Sequence, residues 1–202
     1  MPDFTLREIT ATRYERPEID RGYAGQTLKI DLSDGTIAMA PVTAVMKDKF
    51  VGGKGFDLWL LWHAVTADTR WNDPENAICI ASGPMGGTPS YPGSGKSIVT
   101  TISPLTHMVI DSNVGGYFGP YLKFSGFDAL QITGKAAEKT IIYIDGIEGK
   151  IELLAADGLP DGAYEIAGGL TDQFSQGKPG SISVVCTGPG ARHTLFGCLN
   201  FS

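Results

Sequence analysis

The sequence has little clustered positive charge. Its 16 lysine and arginine residues are outnumbered by 22 aspartate and glutamate residues, which gives a net charge of −6. Proteins that bind duplex nucleic acid do so largely through lysine and arginine side chains that neutralise phosphates. We therefore expect no nucleic-acid partner, although an acidic chain can still carry a local basic site.

Long apolar runs are also missing. The chain has no stretch of the ~18 consecutive apolar residues that a membrane-spanning helix requires. Residues 1–22 mix both charge signs and lack the apolar segment of a signal peptide. We therefore expect a cytoplasmic protein without a membrane partner.

Cysteine is scarce, and the spacing of the cysteines does not indicate pairing. Cys79, Cys186 and Cys198 are far apart and form no C-x-x-C motif. This spacing is typical neither of a disulfide framework nor of an iron-sulfur cluster. We expect all three to be buried thiols, because free cysteine behaves as a small apolar residue.

Glycine, by contrast, is abundant, with 27 residues of 202. It recurs in clusters between apolar runs, namely GGKG, GPMGG, GSG, GGYFG and GPG. Because glycine has no side chain, such clusters allow the backbone to lie close to another backbone or to a ligand.

The segments between these clusters predict mostly strands. Residues 27–32 and 36–42 flank Asp34-Gly35, a turn pair typical of a β-hairpin. Further apolar runs bounded by turn residues predict strands at 77–82, 97–103, 108–111, 129–134, 140–145, 150–156 and 181–188.

Two segments predict helices. Residues 55–68 have almost no polar face, which indicates a buried helix, and residues 161–176 show apolar residues at helical spacing. The sequence therefore predicts an α+β fold that is rich in strands and has about two main helices.

The tripeptide Gly95-Lys96-Ser97 raises the question of a nucleotide-binding P-loop. That motif requires glycine at position 90, where this chain has Ser90. The residues that follow, 98–102, are mainly β-branched and favour a strand rather than the helix of a P-loop. We therefore reject a nucleotide site here.

A second glycine-rich loop, SNVGGYFG, spans residues 112–119. Asn113 tolerates left-handed backbone geometry, and Gly115 and Gly116 leave amides and carbonyls uncovered. From these residues alone, a ligand loop and a tight turn between two strands explain the pattern equally well.

Residues 22–200 resemble the N-terminal domain of the aldehyde ferredoxin oxidoreductase family, the tungsten-pterin enzymes. The resemblance is carried by LKIDLSDGTI, FVGGKGFDLWLLW, DPENAICIASGPMGGT, SGKSIVTTISPLT and, most densely, SNVGGYFGPYLKFSGFDALQITGKA. It implies a β-rich, two-sheet domain over 22–202 that follows an N-terminal extension at 1–21 and is cut short at its C-terminal end.

The resemblance also implies a cofactor, a tungsten bis-pterin (tungstopterin) whose phosphates are bridged by magnesium. Lys96 stands where the family has a cofactor-contacting arginine, and it keeps the charge but loses the planar bidentate fork. Asn113 matches the residue whose backbone carbonyl reaches the magnesium, and Gly115 matches a pterin-contacting glycine. Gly116 serves the turn alone, and His107 stands where glycine is usual.

For the whole enzyme, the resemblance implies oxidation of aldehydes to carboxylic acids with ferredoxin as the electron acceptor. A [4Fe-4S] cluster carries the electrons, and its ligands are not in this chain. We expect no catalytic residue here and no activity of this chain alone. The expected partners are the remaining C-terminal domains, ferredoxin or an electron-transfer subunit, and an aldehyde substrate, with a homo-oligomer left open.

Two alternatives stay open at this point. The chain could be an interaction module that kept the fold and lost the cofactor, an idea motivated by Lys96. It could also belong to the tungsten subunit of another reductase, such as a benzoyl-CoA reductase.

Overall fold

The structure is a computed structural model that describes residues 4–202. The described strands are β1 (Thr5–Arg13), β2 (Gln26–Asp31), β3 (Thr36–Pro41), β4 (Ile78–Ala81), β5 (Ser97–Ile102), β6 (Val109–Val114), β7 (Ala129–Thr133), β8 (Thr140–Asp145), β9 (Lys150–Asp157), β10 (Val185–Cys186) and β11 (Asn200–Phe201). The described α-helices are α1 (Ala44–Phe50), α2 (Lys54–Ala64), α3 (Phe118–Phe124) and α4 (Ala163–Phe174). None of them combines the length and apolarity that crossing a membrane requires.

The strands form two main sheets and one short ribbon. A six-stranded sheet has the order β3-β2-β7-β4-β5-β6, a three-stranded sheet has the order β1-β9-β8, and β10 pairs with β11. In the larger sheet β2 and β7 are parallel, and every other neighbouring pair is antiparallel. The predicted α+β class and the two-sheet architecture are confirmed.

The six-stranded sheet is covered on both faces. Helices α1 and α2 pack on one face around buried residues such as Phe56, Leu61 and Cys79. The other face packs against the three-stranded sheet and α3, around Leu28, Ile151 and other apolar side chains. Strand β6 lies at one edge of this layered core, and most of its residues are exposed.

The predicted helix at 55–68 differs from the structure in its burial. Helix α2 buries Phe56, Leu60 and Leu61 against the sheet, but Trp62 is 81% exposed. The helix packs on one side only, and composition alone did not reveal which apolar side chains point outward. The two predicted helices correspond to α2 and α4, the two longest described helices. Helices α1 and α3 are shorter.

Three elements were not predicted. Residues 5–13, expected to lie in an extension, form β1 and pair along the whole length of β9. Helix α1 starts after Thr43, whose hydroxyl accepts a hydrogen bond from the amide of Met46 at 3.2 Å. Helix α3 follows the second glycine loop. The strand predicted at 181–188 is reduced to β10, whose pairing partner among the described strands, β11, is itself only two residues long.

The expectation of buried thiols is confirmed for one cysteine and wrong for two. Cys79 is fully buried beneath α2, whereas Cys186 and Cys198 are only half-buried. The latter two lie in or near the short β10–β11 ribbon, where Cys186 packs against the side of the cluster around Ile166 and Leu170 of α4 and stays partly exposed. Within residues 4–202, no cluster of three or more histidine, cysteine or acidic side chains is placed to hold a metal ion.

Gly55 in the first turn of α2 provides a test of this packing. A Cβ at this position would lie 2.4 Å from Cβ of Phe50 and 2.9 Å from its carbonyl oxygen. We expect Gly55→Ala to lower the free energy of unfolding by about 1–3 kcal/mol, because backbone must move to relieve the overlap. Urea denaturation measures this change.

Gly168 is the matched control. It is exposed on α4, and a Cβ there would meet nothing within 4 Å. Gly168→Ala should therefore raise the free energy of unfolding by up to about 1 kcal/mol through helix propensity. If Gly55→Ala is as stable as the wild type, the close contact between α1 and α2 is not as described.

Candidate functional site

Strands β5 and β6 bring the predicted site residues together at one end of a hairpin. The register pairs Ser97 with Val114 and Ile98 with Asn113. Lys96 precedes β5 and Gly115 follows β6, so that one further step in the register sets these two residues side by side. The site residues predicted from the sequence are therefore neighbours in the structure.

The glycines beside the hairpin make this end narrow. A Cβ on Gly95 would lie 2.7 Å from the carbonyl oxygen of Gly116, so any larger residue at position 95 would force the two segments apart. Gly116 itself has a φ of +105°, which favours glycine and agrees with a role in the turn. A Cβ on Gly115, in contrast, would meet nothing within 4 Å. The backbone of Gly115 therefore faces open space.

The hairpin end presents one exposed face. Lys96, Asn113 and Gly115 are all exposed. Because side chains alternate along a strand, Asn113 lies on the same face as Asp111. Thr100, the cross-strand partner of Asp111, lies on this face as well. This is the face on which α2 packs, but the hairpin end is left uncovered.

The loop that leads to Lys96, residues 83–95, is held by α3. The ammonium group of Lys123, a residue that is 1% exposed, donates a hydrogen bond to the carbonyl of Gly83 at the start of the loop. A Cβ on Gly87 would lie 2.8 Å from the ring of Phe124. Together with the approach of Gly95 to Gly116, these contacts fix the start, the middle and the end of the loop.

The buried charge of Lys123 is partly offset by Asp128, which is also 1% exposed. The carboxylate of Asp128 accepts hydrogen bonds from the amides of Ala24 and Gly25 at 3.0 and 2.7 Å. Burial lowers the pKa of Lys123 and raises the pKa of Asp128, and the opposite charge of each residue works against these shifts. Neither residue was singled out from the sequence, because nothing local indicates that they are buried.

Asp57 is a second buried acid, on α2. Its Oδ2 accepts a hydrogen bond from the hydroxyl of Thr100 at 3.1 Å, and its Oδ1 has no partner among the described residues. Burial raises the pKa of Asp57 to about 8, the Thr100 hydroxyl opposes this rise, and the charge of Asp111 adds to it. Asp57 is therefore protonated at neutral pH. The sequence feature that could have indicated this buried acid is that Asp57 is the single acid in an apolar helix.

This shift predicts a pH dependence of stability. Between the ordinary aspartate pKa of 3.8 and about 8, folded Asp57 holds a proton that the unfolded chain has lost. Its contribution should therefore lower the free energy of unfolding by up to about 1.4 kcal/mol per pH unit as pH rises through this window, and should level off above it.

The measurement is urea denaturation of the wild type and Asp57→Asn at several pH values from 5 to 9. The difference between the two free energies should grow with pH and then become constant. Asp48→Asn, at an exposed position of α1, is the control and should show no such trend. Parallel curves for Asp57→Asn and the wild type would contradict a buried, protonated Asp57.

The donors at the hairpin end suit a large anion with a hard metal ion. Lys96 supplies an exposed ammonium group, Gly115 supplies uncovered backbone, and the chain around Asn113 supplies carbonyl oxygens of the kind that magnesium accepts. Two shallow depressions of the described surface lie away from this hairpin end, one at Ala24–Gln26 and another near Thr66. Because Lys96, Asn113 and Gly115 are all exposed, the candidate site is an open face.

Comparison with known proteins identifies the family of this chain. The family model of the aldehyde ferredoxin oxidoreductase N-terminal domain matches residues 27–201. Tungsten-containing aldehyde ferredoxin oxidoreductases from Pyrococcus horikoshii and Pyrococcus abyssi are each 40% identical, over 124 and 123 residues respectively, which is 61% of this chain and 20% of each relative. The aliphatic sulfonate oxidoreductase WOR-like subunit of Pyrococcus furiosus is 32% identical over 125 residues, or 60% of this chain and 20% of the relative.

A solved structure shares the fold. It is the active site complex BamBC of benzoyl coenzyme A reductase with 1,5-dienoyl-CoA, with a TM-score of 0.80 and 27% identity, and the match covers 89% of this chain and 27% of that one. The region matched in the curated Pyrococcus relatives is about a fifth of the length of those relatives. The chain belongs to the aldehyde ferredoxin oxidoreductase family and corresponds to its N-terminal domain.

Proposed function

We propose that this chain is the cofactor-binding N-terminal part of a tungsten-bis-pterin oxidoreductase that oxidises aldehydes to carboxylic acids with ferredoxin as the electron acceptor. The observation that carries the proposal is the register of β5 and β6, which sets Lys96 beside Gly115 and close to Asn113. The relatives described as tungsten-containing aldehyde ferredoxin oxidoreductases support it.

Each of the three residues has a proposed role. The Lys96 ammonium would offset negative charge of the cofactor, the Gly115 backbone would lie against a pterin, and the Asn113 backbone carbonyl would bind the magnesium ion. When bound, the tungsten and its dithiolenes supply the two-electron chemistry. The contribution of this chain is to hold the cofactor in position and to compensate its charge.

The rest of the reaction belongs to other parts of the enzyme. We propose that the C-terminal domains supply the ligands of a [4Fe-4S] cluster and the substrate pocket, and that ferredoxin or an electron-transfer subunit takes the electrons. In this scheme residues 1–21 precede the cofactor-binding domain at 22–202, and β1 tethers that segment to β9. A cytoplasmic location stays a prediction, which fractionation of the source cells would check.

A second function is favoured by the structural neighbour. The fold shared with the BamBC complex makes a tungsten subunit of another reductase the main alternative. In either function the cofactor would lie on the same face of this chain, so the substrate of the complete enzyme separates the two. Aldehyde-dependent reduction of ferredoxin by the complete polypeptide, set against turnover of an aromatic acyl-CoA, would decide between the two.

The cofactor proposal is tested by cofactor content. The complete polypeptide that contains this chain is purified from cells supplied with tungstate, and tungsten and pterin are measured per polypeptide. Lys96→Met should lower both by about tenfold or more, because a charged hydrogen bond contributes about 1.5–3 kcal/mol. Lys96→Arg, which restores a planar cation, should retain both.

The control variant is Lys49→Met, at an exposed position of α1 away from the hairpin, and it should leave the cofactor content unchanged. A folded wild-type protein without tungsten and pterin would contradict the proposal and would favour the cofactor-free interaction module.

A further inference from the structure

Lys54, the first residue of α2, carries a second cation over the face of the candidate site. Its Nζ lies 2.6 Å from Oδ1 of Asp111 on β6, and the two side chains are 54% and 30% exposed. The pair is therefore on the surface and open to solvent. None of the roles proposed above includes it.

The position of Asp111 places this ammonium group near the site. Asp111 precedes Asn113 by two residues and lies on the same face of β6. Two residues of strand span roughly 7 Å. Lys96 lies beyond Asn113 in the opposite direction along the strand, so the two ammonium groups flank Asn113.

The backbone that presents Lys54 is fixed on both sides. The amide of Gly53 donates a hydrogen bond to the carbonyl of Ser82 at 3.2 Å, which ties the start of α2 to the end of β4. One turn later, Asp57 binds Thr100 of β5. The helix start is therefore held against the sheet, while the long side chain of Lys54 stays free to change its partner.

Changing partner costs Lys54 little. An exposed pair such as Lys54–Asp111 contributes about 1 kcal/mol or less, because both ions stay hydrated. A phosphate group carries more charge than one carboxylate and accepts stronger hydrogen bonds from an ammonium group. A phosphate-bearing ligand that covers Asn113 would therefore compete well with Asp111 for Lys54.

We propose that Lys54 is a second cationic contact for the phosphate-bearing part of the cofactor, and that Asp111 holds Lys54 over the site face until that anion binds. This inference rests on the proposed function, because it assumes that the anion at the hairpin end is the pterin cofactor. Lys54 would then contact the anion at the end of the site near α2, and Lys96 would contact it at the end near Gly115.

The test compares the cofactor retained by variants of the complete polypeptide after washing at rising salt concentration. Lys54→Met should retain pterin and tungsten about tenfold less than the wild type, with an unchanged melting temperature of the cofactor-free protein. Lys54→Arg should restore retention. Asp111→Asn should retain the cofactor at least as well as the wild type, because it releases Lys54 and removes a negative charge.

The outcomes separate this inference from the proposed function. If Lys96→Met loses the cofactor while Lys54→Met retains it, the role of Lys54 is wrong and the proposed function stands. If Asp111→Asn loses the cofactor as strongly as Lys54→Met, the Lys54–Asp111 pair is needed while the cofactor is bound, and the exchange of partner by Lys54 is wrong. If the wild type contains neither tungsten nor pterin, the proposed function fails, and this inference fails with it.

Discussion

The candidate site depends on one packing constraint, the close approach of the segment 116–124 to the loop 83–95. Gly95 lies against the carbonyl of Gly116, Gly87 lies against the ring of Phe124, and the buried ammonium group of Lys123 binds the carbonyl of Gly83. Two of these contacts require the absence of a side chain, and the third requires a charge in a place where charge is costly. The β5–β6 register sets Lys96 beside Gly115, and these contacts hold the loop that leads to Lys96 against the segment that follows Gly115.

Charge is arranged against the overall balance of the chain. The protein carries a net charge of −6, yet Lys96 lies at the exposed end of the hairpin, Lys54 of α2 lies over Asp111 on the same face, and Lys123 is buried beneath the neighbouring loop. An acidic chain with a local cationic face attracts a specific polyanion while it repels most others. This arrangement fits a protein that holds one large anionic cofactor and leaves the redox chemistry to that cofactor.

Local patterns in the sequence predicted those parts of the fold that local physics determines. The Asp34-Gly35 turn and the apolar runs predicted most strands, and the resemblance grouped Lys96, Asn113 and Gly115 before any geometry was known. His107 stands where the family has glycine, and its φ of +57° explains that preference.

The parts that escaped prediction depend on contacts between distant segments. The burial of Lys123 and Asp57 depends on elements 40 or more residues away, at Gly83 and Thr100 respectively. Lys123 carries no local sign of such burial, and the only local sign for Asp57 is that it is the single acid in an apolar helix. Helix α1 was not predicted, because it is only seven residues long and is followed by Gly52 and Gly53.

The measurement that tests the account most directly is anomalous X-ray diffraction at the tungsten absorption edge from crystals of the complete, cofactor-loaded enzyme. The account predicts a tungsten peak over the exposed face at the end of the β5–β6 hairpin, with Lys96 and Gly115 in contact with the cofactor. A peak away from this hairpin, with Lys96 turned to solvent, would contradict it.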